Sequence, residues 1–121
     1  MADRKFAGSS VINADKVEGT AVYDPKGDKL GTIDDLVIDK VSGKTLYAIM
    51  SFGGFLGMGE KQHPLPWATL KYDTRLEGYV VDLDKNRLQN APSYDRGADI
   101  DWTPDYGRQV NQYWNVPGEW P

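Results

Sequence analysis

The chain has 121 residues, 14 of them basic and 18 acidic, a formal charge of −4 and no cysteine. That length suits one compact core and not two, so a single domain is expected. The missing cysteines exclude disulfides, thiolate nucleophiles and cysteine-ligated metal sites. Basic residues are interleaved with acids, as in Asp24-Pro-Lys-Gly-Asp28-Lys29 and Asp82-Leu-Asp84-Lys85, in place of the basic cluster that marks a nucleic-acid face. Met1–Ser10 has no apolar run behind Arg4 and Lys5, which excludes the pattern of a secretory signal. The longest uncharged apolar stretch, Leu46–Gly59, falls short of the roughly 20 residues of a membrane-spanning helix. These features predict a soluble, cytoplasmic protein with no membrane insertion and no nucleic-acid partner.

From about Ala14 to Leu83, β-branched and aromatic residues alternate with polar ones between glycine-containing turns, the pattern of short antiparallel strands. Val17–Tyr23 reads as the first strand. Asp24–Lys29 reads as the turn, with Pro25 fixing one φ and Gly27 supplying a position where φ can be positive. Leu30–Val41 returns. Ile33 differs in parity from Leu36 and Ile38, which predicts a bulge at Asp34-Asp35. Ser42-Gly43-Lys44 closes a second hairpin into Thr45–Phe52, where both faces read as buried. Lys61–Leu65, Ala68–Tyr72 and Gly78–Leu83 supply the remaining strands. Pro64 and Pro66 lack ladder donors and place their segment at an edge or corner. Trp67 is expected to contribute to the core. Asp84–Leu88 reads as a helical turn that ends near Ala91-Pro92.

Three of the four tryptophans, Trp102, Trp114 and Trp120, lie in the tail that begins at Ser93. Thr103-Pro104 is a helix start, a capping hydroxyl followed by proline at the first helical position, with Asp105 placed to favour the dipole. Tyr106, Val110, Tyr113 and Trp114 then recur at helical spacing, which predicts a short helix over about 104–114 with one apolar stripe. The tail has two readings. It covers an open part of its own sheet, or it docks on another chain through its Trp and Tyr anchors.

Other eye-catching segments lack the chemistry that they imitate. In Phe52-Gly-Gly-Phe-Leu-Gly-Met-Gly-Glu60, Glu60 stands where a phosphate loop needs lysine, and no Ser or Thr follows to hold magnesium. Phe55, Leu56 and Met58 at its tip instead suggest a contact surface. His63 is the only histidine and has no nucleophile or orienting carboxylate that can be placed beside it. Asp82-Leu-Asp84-Lys-Asn86 starts like a calcium loop, but Arg87 and Ser93 occupy the glycine and bidentate-acid positions. Asp34, Asp35 and Asp39 read as backbone-binding carboxylates at turns and a bulge, with a cation site as the alternative. No catalytic, cofactor or metal residues are assigned.

The series Val17-Glu-Gly19, Val22-Tyr-Asp24, Gly27, Leu30-Gly31, Ile33, Asp35, Val37-Ile-Asp39, Gly43, Tyr47-Ala48, Phe52-Gly-Gly54, Gly59 and Pro66-Trp67 resembles a PRC-barrel domain. The resemblance spans residues 11–92, after a flexible N-terminus (1–10) and before an aromatic tail (93–121). Asp101-Trp102-Thr103 and Tyr113-Trp114 resemble the tail of stand-alone bacterial PRC-barrel proteins. What the resemblance implies is an all-β fold, a small and strongly bent antiparallel β-barrel with a helical aromatic tail, serving as a non-catalytic protein-binding adaptor or scaffold. Two alternatives follow from relatives. One is ribosome-assembly work, as in the maturation factor RimM, and the other is ligand or electron-transfer-associated binding, as in the photosynthetic reaction centre H subunit. The partner is expected to be a protein. A two-fold homodimer is also expected, because 14 aromatic residues exceed what so small a barrel encloses. The candidate contacts are Phe55, Leu56, Met58, Trp102, Tyr106, Tyr113 and Trp114.

Overall fold

A computed structural model describes residues 11–52, 60–83 and 85–116. In chain order the elements are α1 (Ala14–Val17), β1 (Ala21–Tyr23), β2 (Lys29–Ile38), β3 (Thr45–Phe52), β4 (Lys61–Pro66), a 3-10 turn at Trp67–Thr69, β5 (Leu70–Asp73), β6 (Gly78–Val81), α2 (Lys85–Gln89), β7 (Tyr94–Asp95) and α3 (Pro104–Tyr113). Among the described residues no helix is long and apolar enough to cross a membrane.

Local chemistry explains the turns. The Asp24 carboxylate accepts the Lys26 and Asp28 N–H groups, each at 2.9 Å, and Gly27 takes the left-handed conformation at φ 91° that the turn requires. At the next hairpin the Asp39 carboxylate accepts from the Val41 N–H at 3.2 Å and the Ser42 hydroxyl at 2.7 Å. In β2 the register steps from Ile33↔Met50 to Asp35↔Ile49, which leaves Asp34 as the extra residue of a bulge. The bulge returns Leu36, opposite Ala48, to the side of the sheet that carries Ile33 and Met50.

The first strand is shorter than its pattern predicts. Val17 ends one turn of helix with its side chain buried, Gly19 breaks the chain direction at φ 89°, and the strand that pairs with β2 is Ala21–Tyr23, preceded by backbone hydrogen bonds of Gly19 and Thr20 with Ile33. A lone apolar residue such as Val17 satisfies either period, so alternation does not separate a helical turn from a strand here.

The seven strands form one sheet in the order β5-β6-β1-β2-β3-β4-β7. One pair departs from the antiparallel expectation, since β6 runs parallel to β1 with Val22 opposite Tyr79 and Tyr23 opposite Val80. Strand polarity across so long a separation is a tertiary property without a local signal. β4 and β5 are consecutive in the chain yet five positions apart in the sheet. In a flat sheet they would lie about 24 Å apart at the usual strand spacing, whereas four Cα steps from Pro66 to Leu70 reach at most about 15 Å. The sheet is therefore curled on itself. Contact between the Trp67 and Tyr79 rings, 5.5 Å between centroids, joins its two ends. Among the described residues no backbone ladder closes the curl into a continuous barrel, and β5 and β7 are its edges.

Val22, Ile33, Met50, Leu65 and Val81 fill the interior, and Leu88 of α2 and Val110 of α3 belong to the same buried cluster. Trp67 is half-buried and packs against it. β2 and β3 approach so closely at Gly31 that an added Cβ would lie 2.1 Å from the Ser51 carbonyl oxygen. The obstacle is backbone and cannot rotate away. Gly31→Ala is therefore expected to lower stability by about 2 kcal/mol or more. Urea unfolding should show an earlier midpoint with an unchanged slope.

Candidate functional site

Strand β3 is buried on both sides, and the residues under its two faces differ. Ala48 and Met50 stand opposite Leu65 and His63 of β4 and face the interior. Tyr47, on the other face, lies against the tail. Its ring stacks on Trp102 at 5.1 Å and 22°, and Trp102 meets the edge of Tyr106 at 5.2 Å. The Tyr47 hydroxyl donates to the Asn111 side-chain oxygen at 3.0 Å, and burial raises its pKa. The helix itself starts as its cap predicts, with Thr103 Oγ1 accepting from the Tyr106 N–H at 3.1 Å.

The other end of α3 is held by Arg87 of α2. Its guanidinium donates to the Tyr113 carbonyl at 2.9 Å and lies over the rings of Tyr113 and Trp114, 5.5 Å from each centroid. The Tyr113 hydroxyl donates to the Arg87 carbonyl at 2.6 Å, and Trp114 is 7 % exposed. Trp102, Tyr106, Tyr113 and Trp114 thus pack on their own chain, the first of the two readings of the tail. Phe55, Leu56 and Met58 lie outside the described residues.

His63 is 2 % exposed, with the Phe52 ring edge-on at 5.6 Å. Burial, with Lys61 as a second cause, pulls its imidazole down to about 4. Among the described residues its Nδ1 is buried with no hydrogen-bond partner. The carboxylates that the sequence singles out go to separate duties. Asp34 accepts from Gln62 Nε2 at 3.1 Å and lies 3.5 Å from Arg96, Asp35 accepts the Leu36 N–H, and Asp39 caps its hairpin. Among the described residues no three acids or imidazoles converge as a metal site would require. An open cleft of about 340 Å³ between α2 and α3 is lined by Asn90, Pro92, Gln109, Gln112 and Tyr113.

The two sheet edges differ sharply. At β7, Lys61 pairs with Asp95, and Arg96 pairs with Glu60, so the edge is rimmed with neutralised charge. Tyr94, half-buried beside this rim, has its pKa pushed up to about 12 by burial and then by Tyr106, Asp35 and Asp34. At β5 no described strand covers the outer side. Tyr72 stands 50 % exposed there, edge-on to its cross-strand partner Tyr79 at 5.2 Å, and Tyr79 in turn meets Trp67. Leu70 and Tyr72, opposite the buried Val81 and Tyr79, share the inner face, and the exposed Lys71 shares the outer face with Asp73. Leu76 at the adjoining turn is also partly exposed. A barrel edge is among the contact surfaces expected from the sequence, but no residue of this edge is among the candidate contacts named there. Its only sequence signal is the short alternation Leu70-Lys71-Tyr72-Asp73, which any half-buried strand shows.

The profile of the PRC-barrel domain matches residues 9–88, more than half of the chain. The chain belongs to the PRC-barrel domain family. No curated protein matches it. Among solved structures, this PRC-barrel chain is similar to one described as a 16S ribosomal RNA processing protein, RimM, from Pseudomonas aeruginosa. The identity is 20%, the match covers 66% of this chain and 48% of that one, and the TM-score is 0.41. This chain thus spans about half the length of that protein.

Two outcomes are expected from the packing of this PRC-barrel domain. Loss of the stack in Trp102→Ala should release α3, raising amide exchange over Pro104–Tyr113 by about tenfold, the equivalent of an aromatic pair of about 1.4 kcal/mol. His63 makes stability depend on pH with a definite sign. The unfolded chain binds a proton at this residue as pH falls through about 6.5, while the folded chain stays neutral until about 4. Stability is therefore lost as pH falls across that window, by about 3 kcal/mol in total, and the loss stops below it. Urea unfolding at pH 7 and pH 4.5 should show a larger difference for the natural chain than for His63→Met, because the carboxylates titrate alike in both.

Proposed function

We propose that this chain is a non-catalytic protein-interaction module, an adaptor or scaffold working in the cytoplasm, and that its contact surface is the open edge of β5. The observation that carries this reading is the half-exposed Tyr72 on an uncovered edge strand, backed by Tyr79 and Trp67. An edge strand offers unpaired backbone donors and acceptors to another chain. A rigid aromatic beside them supplies apolar contact at low entropic cost, which is the composition of an interface anchor. His63 is held neutral in the core, and Asp39 and Asp73 cap hairpins. Such a role needs no cofactor.

Photocrosslinking in cells that express the chain tests the surface. With p-benzoylphenylalanine at position 72, irradiation should yield discrete protein adducts, and the same probe at position 26, on the exposed β1–β2 turn, should not. Absence of protein adducts at position 72, or adducts with nucleic acid alone, would overturn the proposal.

A further inference from the structure

The partner that best fits the β5 edge is a second copy of this chain. We propose that β5 pairs with β5 of another copy, antiparallel across a two-fold axis through Tyr72, so that two seven-stranded sheets join edge to edge. This deepens the reading of the β5 edge as a protein contact and rests on it.

Symmetry and charge select the register. When two identical strands pair about an axis perpendicular to the sheet, residues directly opposite each other must lie on the same face. Lys71 and Tyr72 lie on opposite faces, so an axis between them is excluded. An axis through Lys71 sets Lys71 against its own copy, and an axis through Asp73 sets two carboxylates together, both destabilising. An axis through Tyr72 sets Tyr72 against Tyr72, Leu70 against Thr74, and each Lys71 against the Asp73 of the other copy. Only this register matches opposite charges along the strand while keeping all of β5 in the ladder.

The side chains are free for these duties. Among the described residues no acid pairs with Lys71, and the bonds to the Asp73 carboxylate all go to Oδ1, from the Arg75 and Leu76 N–H groups and the Arg75 side chain. Oδ2 is left for Lys71 of the other copy. On the inner face the Trp67–Tyr79–Tyr72 series would continue through the axis into its symmetry mate, covering the half of Tyr72 that is exposed in one chain. A lysine on an edge strand ordinarily deters pairing. Here it deters every register but the one in which it meets Asp73.

The absence of cysteine in the chain makes thiol trapping clean. Under mild oxidation purified Tyr72→Cys should convert to a disulfide-linked dimer, because directly opposite Cβ atoms in a ladder lie about 4.5–5.5 Å apart. Leu70→Cys and Thr74→Cys should each stay largely without a disulfide cross-link alone and cross-link when mixed. In sedimentation of the otherwise natural chain, Lys71→Glu should weaken the dimer by about tenfold or more, since both Lys71–Asp73 pairs become repulsive. Circular dichroism should be unchanged, because Lys71 is exposed. A mass of 13.5 kDa at every concentration overturns the inference. So does a dimer that is indifferent to Lys71→Glu and traps no faster at position 72 than at position 70. If the purified chain is monomeric while the probe at position 72 captures a different protein, the self-pairing fails and the edge reading stands. Capture of nothing at all fails both.

Discussion

The short link between β4 and β5 is the constraint on which the rest of the fold depends. Residues Trp67–Thr69 must carry the chain between strands that stand five positions apart in sheet order, and no flat sheet permits it. Curling brings Trp67, just past β4, against Tyr79 of β6, and it lets β6 lie parallel to β1. The bulge at Asp34 and the close approach at Gly31 serve the same curvature. A bulge increases local twist, and a glycine lets neighbouring backbones meet where a Cβ would hold them apart.

A curled sheet of this size encloses little volume, so the apolar groups are divided between two sides. Val22, Ile33, Met50 and Leu65 fill the interior with His63 among them, while Tyr47 on the other face of β3 is covered by Trp102 and α3. The aromatic tail is thus an outer layer of the core. It is pinned at one end by the stack on Tyr47 and at the other by Arg87, which lies over two rings and donates to the Tyr113 carbonyl at once. Burying the last turn of α3 in this way uses an arginine where an orphan carbonyl would otherwise be left.

The same curl leaves the sheet with two ends of unlike chemistry. At β7 the acids Asp34, Glu60 and Asp95 are met by Arg96 and Lys61, and the rim has little charge to offer a partner. At β5 Tyr72 lies on the inner face, opposite Tyr79, with Lys71 and Asp73 turned to the outer face. The contrast locates the proposed contact on the short hairpin strand and away from the aromatic tail, although the tail has the composition of an interface.

Much of this molecule is legible in its sequence because much of it is decided by local chemistry. The Asp24 and Asp39 hairpins, the Asp34 bulge and the Thr103-Pro104 helix start each depend on residues within a few positions of one another, and each is where its pattern places it. The family resemblance follows from the same spaced glycines and the Pro66-Trp67 pair. Alternation fails at Val17, where one apolar residue has no neighbours to define a period. It is silent on the parallel β1–β6 pair, on the choice between the two readings of the tail, and on the open edge at β5. Those depend on which surfaces meet across 50 or more residues, as with Tyr47 and Asn111 or Val22 and Tyr79. An exposed tyrosine and a buried one are the same letter until the chain has curled, and only the curl makes Tyr79 core and leaves Tyr72 at the rim.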